Sequence, residues 1–228
     1  MKVTSPIGLG TIDAPPLHEI VYQRLTRALM AGQIEPGRKL TSRKLAQELG
    51  TSDMPVRAAL LRLQSLRALA QLPNGSLVLP PMTRERFADL MNTRQICEGA
   101  ATECAARNVT ARELKAIRKE CAALTKAARN EDIDAYLLHN YQFKFLIYSA
   151  SRSASQIFLI ETLWLQVGPF LRQFAASFNG RLSDILGIDY HDEALEALER
   201  TDAEAAARAI RTDIAEGARF LLKHGAFA

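Results

Sequence analysis

Apolar positions recur at helical spacing from Leu17 onward: Ile20, Val21, Leu25, Ala28 and Leu29 share one face. Gly32 ends this helix and Pro36-Gly37 makes a turn. Ser42 is an N-cap for a short helix over 43–49, closed by Gly50. Thr51-Ser52-Asp53 supplies cap residues for the next helix, whose first turn holds Pro55, where a missing N–H costs nothing. Val56, Leu60, Leu63 and Leu66 form its buried stripe. Two short apolar runs, 69–73 and 76–79, flank Asn74-Gly75 and predict a β-hairpin. Pro80-Pro81 then marks a boundary.

Beyond Thr83 the pattern carries no strand signal. It predicts helices over 83–106, 110–129, 132–149, 153–178 (kinked at Gly168-Pro169), 191–199 and 203–223. Short loops imply antiparallel neighbours. The expected fold is mainly α: a winged helix-turn-helix with a small β-hairpin wing, then an all-α antiparallel bundle. The expected divisions are a flexible N-terminal arm over 1–16, a DNA-binding domain over 17–80, and a helical effector-binding and dimerisation domain over 81–228.

Charge sharpens this division. The 228 residues carry a formal net charge of +4. Residues 1–80 hold ten Lys/Arg against five Asp/Glu, whereas residues 81–228 hold nineteen against twenty. A small basic domain beside a neutral one suggests a polyanion partner for the first, although a chance surface imbalance would look the same. At 48% apolar and 24% charged, the composition is that of a soluble globular chain. No apolar run reaches the ~18 residues of a membrane span; the stretch 157–167 carries Glu161 and Gln166. The first sixteen residues lack the apolar core of a secretory signal, and the three cysteines show neither a disulfide framework nor zinc spacing. The expected location is the cytoplasm.

Three segments carry a more specific likeness: 34–40 (Ile-Glu-Pro-Gly-Arg-Lys-Leu), 45–50 (Leu-Ala-Gln-Glu-Leu-Gly) and 55–60 (Pro-Val-Arg-Ala-Ala-Leu). In this order and at these separations they resemble the N-terminal domain of the GntR family. The helical remainder resembles its FadR subfamily, whose ligand domain is called FCD. The likeness covers about residues 17–224. It implies a sequence-specific transcriptional regulator, more often a repressor than an activator, binding a pseudo-palindromic operator on double-stranded DNA as a homodimer. A recognition helix in the major groove would let Arg57 take guanine O6 and N7 together. Arg43 stands where family members commonly place a DNA-contacting arginine. Lys39, Lys44, Arg62 and Arg67 are candidates for phosphate contact, the last two equally readable as solvated surface charges.

The chain departs from the family pattern at Ser52-Asp53, where Ser-Arg or Thr-Arg is usual. Asp53 repels phosphate, but can accept from cytosine N4 or cap the helix. Ala58 replaces an expected Glu, and the wing tip over 73–76 holds no basic residue. The expected DNA-reading set is Lys39, Arg43, Lys44, Ser52, Asp53, Met54 and Arg57.

The resemblance also implies a pocket. Many FCD domains hold a divalent metal through Asp-x3-His on one helix and two later histidines. The positions here are Asn140, Lys144, His191 and Asp213. A protonated lysine has no lone pair and cannot ligate. No metal or other cofactor is therefore expected, and the Lys144 ammonium should occupy roughly the metal's place, paired with Asp213, His191 or an effector carboxylate. Arg94 resembles a pocket arginine used toward acidic effectors, a contact that suits a guanidinium; the alternative is a solvated i,i+4 pair with Glu98. The expected effector is a small organic acid met by Arg94, Asn140, Lys144, His191 and Asp213. Tyr141, Tyr148, Trp164 and Arg172 either line the same cavity or belong to the core. Cys97, Cys104 and Cys121 read as buried small apolar residues, and His18, His139 and His224 as surface. A constitutive DNA-binding module with a non-sensing pocket is the main alternative. An enzyme is remote, since no nucleophile elbow, phosphate loop or catalytic carboxylate pair accompanies these residues.

Overall fold

Helix α1 (Leu17–Met30) buries Val21, Tyr22, Leu25, Leu29 and Met30, close to the face that the apolar spacing marks. The computed structural model describes residues 16–34, 38–174, 178 and 181–228. The N-terminal arm up to residue 15 and the Pro36-Gly37 turn lie outside these. Helix α2 (Ser42–Leu49) is capped by Thr41, whose side chain accepts from Lys44 N–H, and it closes on Gly50. The cap is thus one residue earlier than Ser42, because Thr41 has the extended backbone a cap requires. Helix α3 (Asp53–Ser65) buries Val56, Ala59, Leu60 and Leu63. Ser52 takes its N-cap position without a side-chain bond.

Strands β1 (Ala70–Gln71) and β2 (Leu77–Val78) pair antiparallel, with Ala70 opposite Val78. Leu40 adds a bridge to Leu77 from the segment before α2. This third short edge carries no alternation for a pattern to find.

The helical region contains α4 (Arg84–Asn108), α5 (Ala111–Arg129), α6 (Ile133–Ala150), α7 (Ala154–Leu171), a 3-10 turn (Leu182–Gly187), α8 (His191–Glu199) and α9 (Ala203–His224). Thr83, Thr110, Asp132 and Ser153 cap α4 to α7, and Thr110 with Glu113 forms a full capping box. α4 packs along α9, and α5 along α6. Helix α7 reaches Leu171, is interrupted at Arg172, and the chain is helical again at Gln173 and Phe174. Pro169 sits in its last turn, where it removes the bond to the Leu165 carbonyl, three residues before that interruption. Residues 175–177, which the longer helix would include, are not described. The 3-10 turn is too short for a periodic signal.

The two regions meet through glycines. Gly32 ends α1 with φ +62°, and a Cβ there would lie 2.9 Å from the Leu137 side chain. A Cβ on Gly168 would lie 2.9 Å from the Leu29 carbonyl oxygen and Met30 Cα. Only glycine permits such an approach of α7 to the end of α1. Arg172 Nε donates to the Gly32 carbonyl at 2.6 Å, and the same guanidinium pairs with Asp134.

Candidate nucleic-acid interface and internal cavity

Burying the apolar stripe of α3 turns its other face outward. Ser52, Asp53, Met54, Arg57 and Ala58 are all exposed, as are Lys39, Arg43 and Lys44 on and before α2. Among the described residues Met54 is the most exposed large apolar side chain, at 78%, and Leu61 follows α3 round at 55%. The structure thus presents the whole expected DNA-reading set to solvent. A groove of about 370 Å³ runs between α3 and the hairpin, with Arg57 its only charged lining residue. Its remaining polar wall is neutral, with Gln64, Gln71, Asn74 and Ser76 among the lining residues. Asn74 Oδ1 accepts from Ser76 N–H and shapes the wing tip.

The basic residues here divide into two groups. Arg62 donates to Glu19 at 2.7 Å and lies 3.6 Å over the Tyr22 ring, and Arg38 pairs with Glu48. Arg67 adopts φ +59° at the end of α3, and its carbonyl accepts from Arg86. Among the described residues, Lys39, Arg43, Lys44 and Arg57 have no carboxylate within 4 Å.

The helical region forms a cavity of about 40 Å³ whose lining includes Arg94, Asn140, Lys144, His191 and Asp213. The five residues expected to share a pocket do share one. Lys144 Nζ donates to Asp213 Oδ2 at 2.5 Å, and the Lys144 side chain is 2% exposed. Asp213 Oδ1 accepts from Tyr190 N–H at 3.2 Å. Burial alone would raise the Asp213 pKa, but the Lys144 charge, the nearby His191 ring and these hydrogen bonds hold it down to about 2. His191 Nε2 lies 3.1 Å from Asn140 Oδ1, an acceptor for a proton on that nitrogen, and Nδ1 is the ring's other nitrogen. Asn140, Lys144, His191 and Asp213 do not fit a divalent metal: one member is a cation already bonded to another.

Arg94 also lines the cavity, but not as a free guanidinium. It donates to Glu98 through Nε at 2.5 Å and Nη2 at 3.2 Å, while Nη1 meets only the Met91 thioether. Glu98 is fully buried and also accepts from Tyr148 and from Trp164 Nε1, the latter at 3.0 Å. Arg94 lies 4.4 Å from the Trp164 ring centroid. The i,i+4 pair therefore exists, in the core rather than on a solvated surface. The carboxylate expected from an effector comes from the protein itself.

Further corrections follow. Tyr141, Tyr148, Trp164 and Arg172 do not line this cavity; Tyr148 and Trp164 hold Glu98, and Arg172 serves the joint with α1. Cys97 and Cys104 are only half-buried. Cys121 is buried; desolvation, reinforced by its S–H bond to Asp192, pushes its thiol pKa up and away from reactivity. His139 is half-buried and lies 2.7 Å from Glu120. Tyr136 and Asp189 line the cavity unanticipated. Asp189 stands two residues before His191, a visible spacing, but nothing marked Tyr136 as other than core.

An exposed helix carrying unpaired cations, joined to a helical domain with a polar cavity, defines a DNA-binding regulator with an internal ligand domain. Two family models match in that order: bacterial regulatory proteins of the gntR family over residues 17–78, and the FCD domain over residues 89–216. The HTH-type transcriptional regulator McbR of Escherichia coli (strain K12) is 30% identical over 172 residues, 75% of this chain and 78% of that protein. The solved structure of E. coli McbR/YncC superposes with a TM-score of 0.84 at 26% identity, covering 92% of this chain and 99% of the other. A GntR transcriptional regulator from Rhodococcus sp. RHA1 shares the fold, with a TM-score of 0.67 at 22% identity over 92% of this chain and 99% of its own. The chain belongs to the gntR family of bacterial regulatory proteins, with a C-terminal FCD domain. It is a DNA-binding transcriptional regulator modulated by a ligand, not an enzyme. No described helix is long and apolar enough to cross a membrane.

Proposed function

We propose that the protein is a cytoplasmic, homodimeric repressor whose grip on a pseudo-palindromic operator is altered by a small metabolite in the cavity. Lys39, Arg43, Lys44, Ser52, Asp53, Met54 and Arg57 read the DNA; Arg94, Asn140, Lys144, His191 and Asp213 surround the effector. One observation carries the coupling. The end of α7 supplies Leu171 to the cavity wall, while Gly168 and Arg172 on the same turn bear on the end of α1. A ligand that moves this turn moves the DNA-binding domain, a coupling of roughly 1–3 kcal/mol in allosteric systems.

The second copy of the chain is assigned to α4 and α7, which pack together and leave Ile96, Phe158 and Leu159 exposed. An organic acid, the effector the sequence points to, would meet Arg94 through Nη1, the guanidinium nitrogen that Glu98 leaves free. The small cavity favours one second reading, a constitutive DNA-binding module that senses nothing.

Selection of genomic fragments by the purified protein, at fixed near-physiological salt, tests the proposal. Enrichment of a short pseudo-palindrome, altered by some added metabolite, is the expected result. Enrichment that no metabolite alters would leave the constitutive reading. No enrichment over random DNA, with or without metabolites, would overturn both.

A further inference from the structure

One carboxylate of the cavity faces no fixed cation, because both fixed cations are engaged by other acids. Lys144 is matched by Asp213 and Arg94 by Glu98. Asp189 is the remaining acid, and among the described residues no Lys or Arg nitrogen lies within 4 Å of it. Its neighbour is His191, whose Nδ1 is 3.2 Å from Asp189 Oδ2. Both atoms are buried without a hydrogen-bond partner, because the pair is out of line for a bond between them. The His191 ring is 2% exposed, and its Nε2 faces Asn140 Oδ1. With the ring proton on Nε2, Nδ1 and Asp189 Oδ2 are two acceptors side by side, with no donor between them.

We infer that the ligand of this cavity presents an ammonium group to Asp189 Oδ2 and His191 Nδ1, a reading that rests on the cavity being the effector site. An ammonium carries three donors and one positive charge, so it satisfies both acceptors and balances the unmatched carboxylate. A hydroxyl supplies one donor and no charge. A carboxylate set against these two atoms would bring further acceptors and a second negative charge beside Asp189. The cavity of about 40 Å³ has room for a group of this size, since roughly 10–15 Å³ of such space holds a water. Leu171, Phe174, Ile188 and Ile214 line the same cavity and suit a short alkyl chain.

Thermal unfolding of the full chain in n-propylammonium chloride, sodium propionate or sodium chloride at equal ionic strength tests the inference. Propylammonium should raise Tm saturably by about 2–4 °C over sodium chloride. Propionate should not. Asp189→Asn should abolish the rise while keeping its own cooperative transition, and Asp184→Asn, at an exposed carboxylate of the 3-10 turn, should retain it. Stabilisation by propionate alone would overturn the ammonium assignment and leave the cavity as an acid site. An undiminished rise in Asp189→Asn would overturn it by putting the amine elsewhere. No response to either probe would overturn it together with the effector-site reading, an ordered water then serving the two acceptors.

Discussion

Arg57 and Lys144 are both cations set by a helix, yet one faces solvent with no carboxylate in reach and the other lies buried 2.5 Å from Asp213. The contrast extends to their surroundings. On and before α2, Lys39, Arg43 and Lys44 are likewise exposed and unmatched; inside the FCD domain, Arg94 is held by Glu98. An exposed cation keeps its hydration and waits for a phosphate or a guanine edge. A buried cation would lose several kcal/mol of solvation and persists only with a carboxylate beside it. Paired charge thus marks a preorganised interior, and unpaired charge marks a surface built for a polyanion.

The largest effect should come from breaking an interior pair. Asp213→Asn leaves Lys144 buried without its counter-charge, and should destabilise the protein by about 3–5 kcal/mol in denaturant melts. Replacing both partners, Lys144→Met with Asp213→Leu, should recover most of that loss, because two apolar groups leave no charge stranded. A single-variant loss below about 1 kcal/mol would place Lys144 in water and erase the contrast.

Acid should act on the same pair more gently. The folded-state pKa of Asp213 is held at about 2 against an ordinary value of 3.8. The stabilisation is therefore complete above about pH 4 and is lost as pH falls from 4 through 2. It should amount to roughly 2 kcal/mol and be absent from Asp213→Asn. An identical acid dependence in the variant would assign the acid transition to other carboxylates.

This split also explains how much was legible beforehand. The helix order, the hairpin and the outward face of α3 follow from apolar spacing and caps, which are local. The cavity members at 140, 144, 191 and 213 followed from family likeness, not from the residues alone. What stayed hidden is tertiary: Glu98 reads as one half of a surface i,i+4 pair until Tyr148 and Trp164, fifty and sixty-six positions on, are seen to bond it. Leu40 gives no sign of its bridge to Leu77 for the same reason.

On the DNA side, Arg57→Ala should weaken specific operator binding by about 1–3 kcal/mol and relax preference at one base position. Lys44→Ala should lower specific and random binding alike and reduce the salt slope by about 1. Equal losses on both DNAs for Arg57 would make it a phosphate contact and leave Asp53 and Met54 as the readers on α3.

The smallest effect is expected at Arg62, and it tests whether pairing decides the role of a cation. Arg62 lies on the same helix as Arg57 and carries the same charge, but it reaches back to Glu19 and covers the Tyr22 ring. A guanidinium so committed would have to give up both contacts to meet a phosphate. Arg62→Ala should therefore change operator affinity by no more than roughly 0.5 kcal/mol, and cost a similar amount of stability, as exposed ion pairs do. Glu19→Gln supplies the converse: with its partner neutralised, Arg62 should begin to contribute to binding and steepen the salt dependence. If Arg62→Ala instead weakened binding as much as Arg57→Ala, position on the recognition helix, and not the presence of a carboxylate partner, would be what commits a basic residue to DNA.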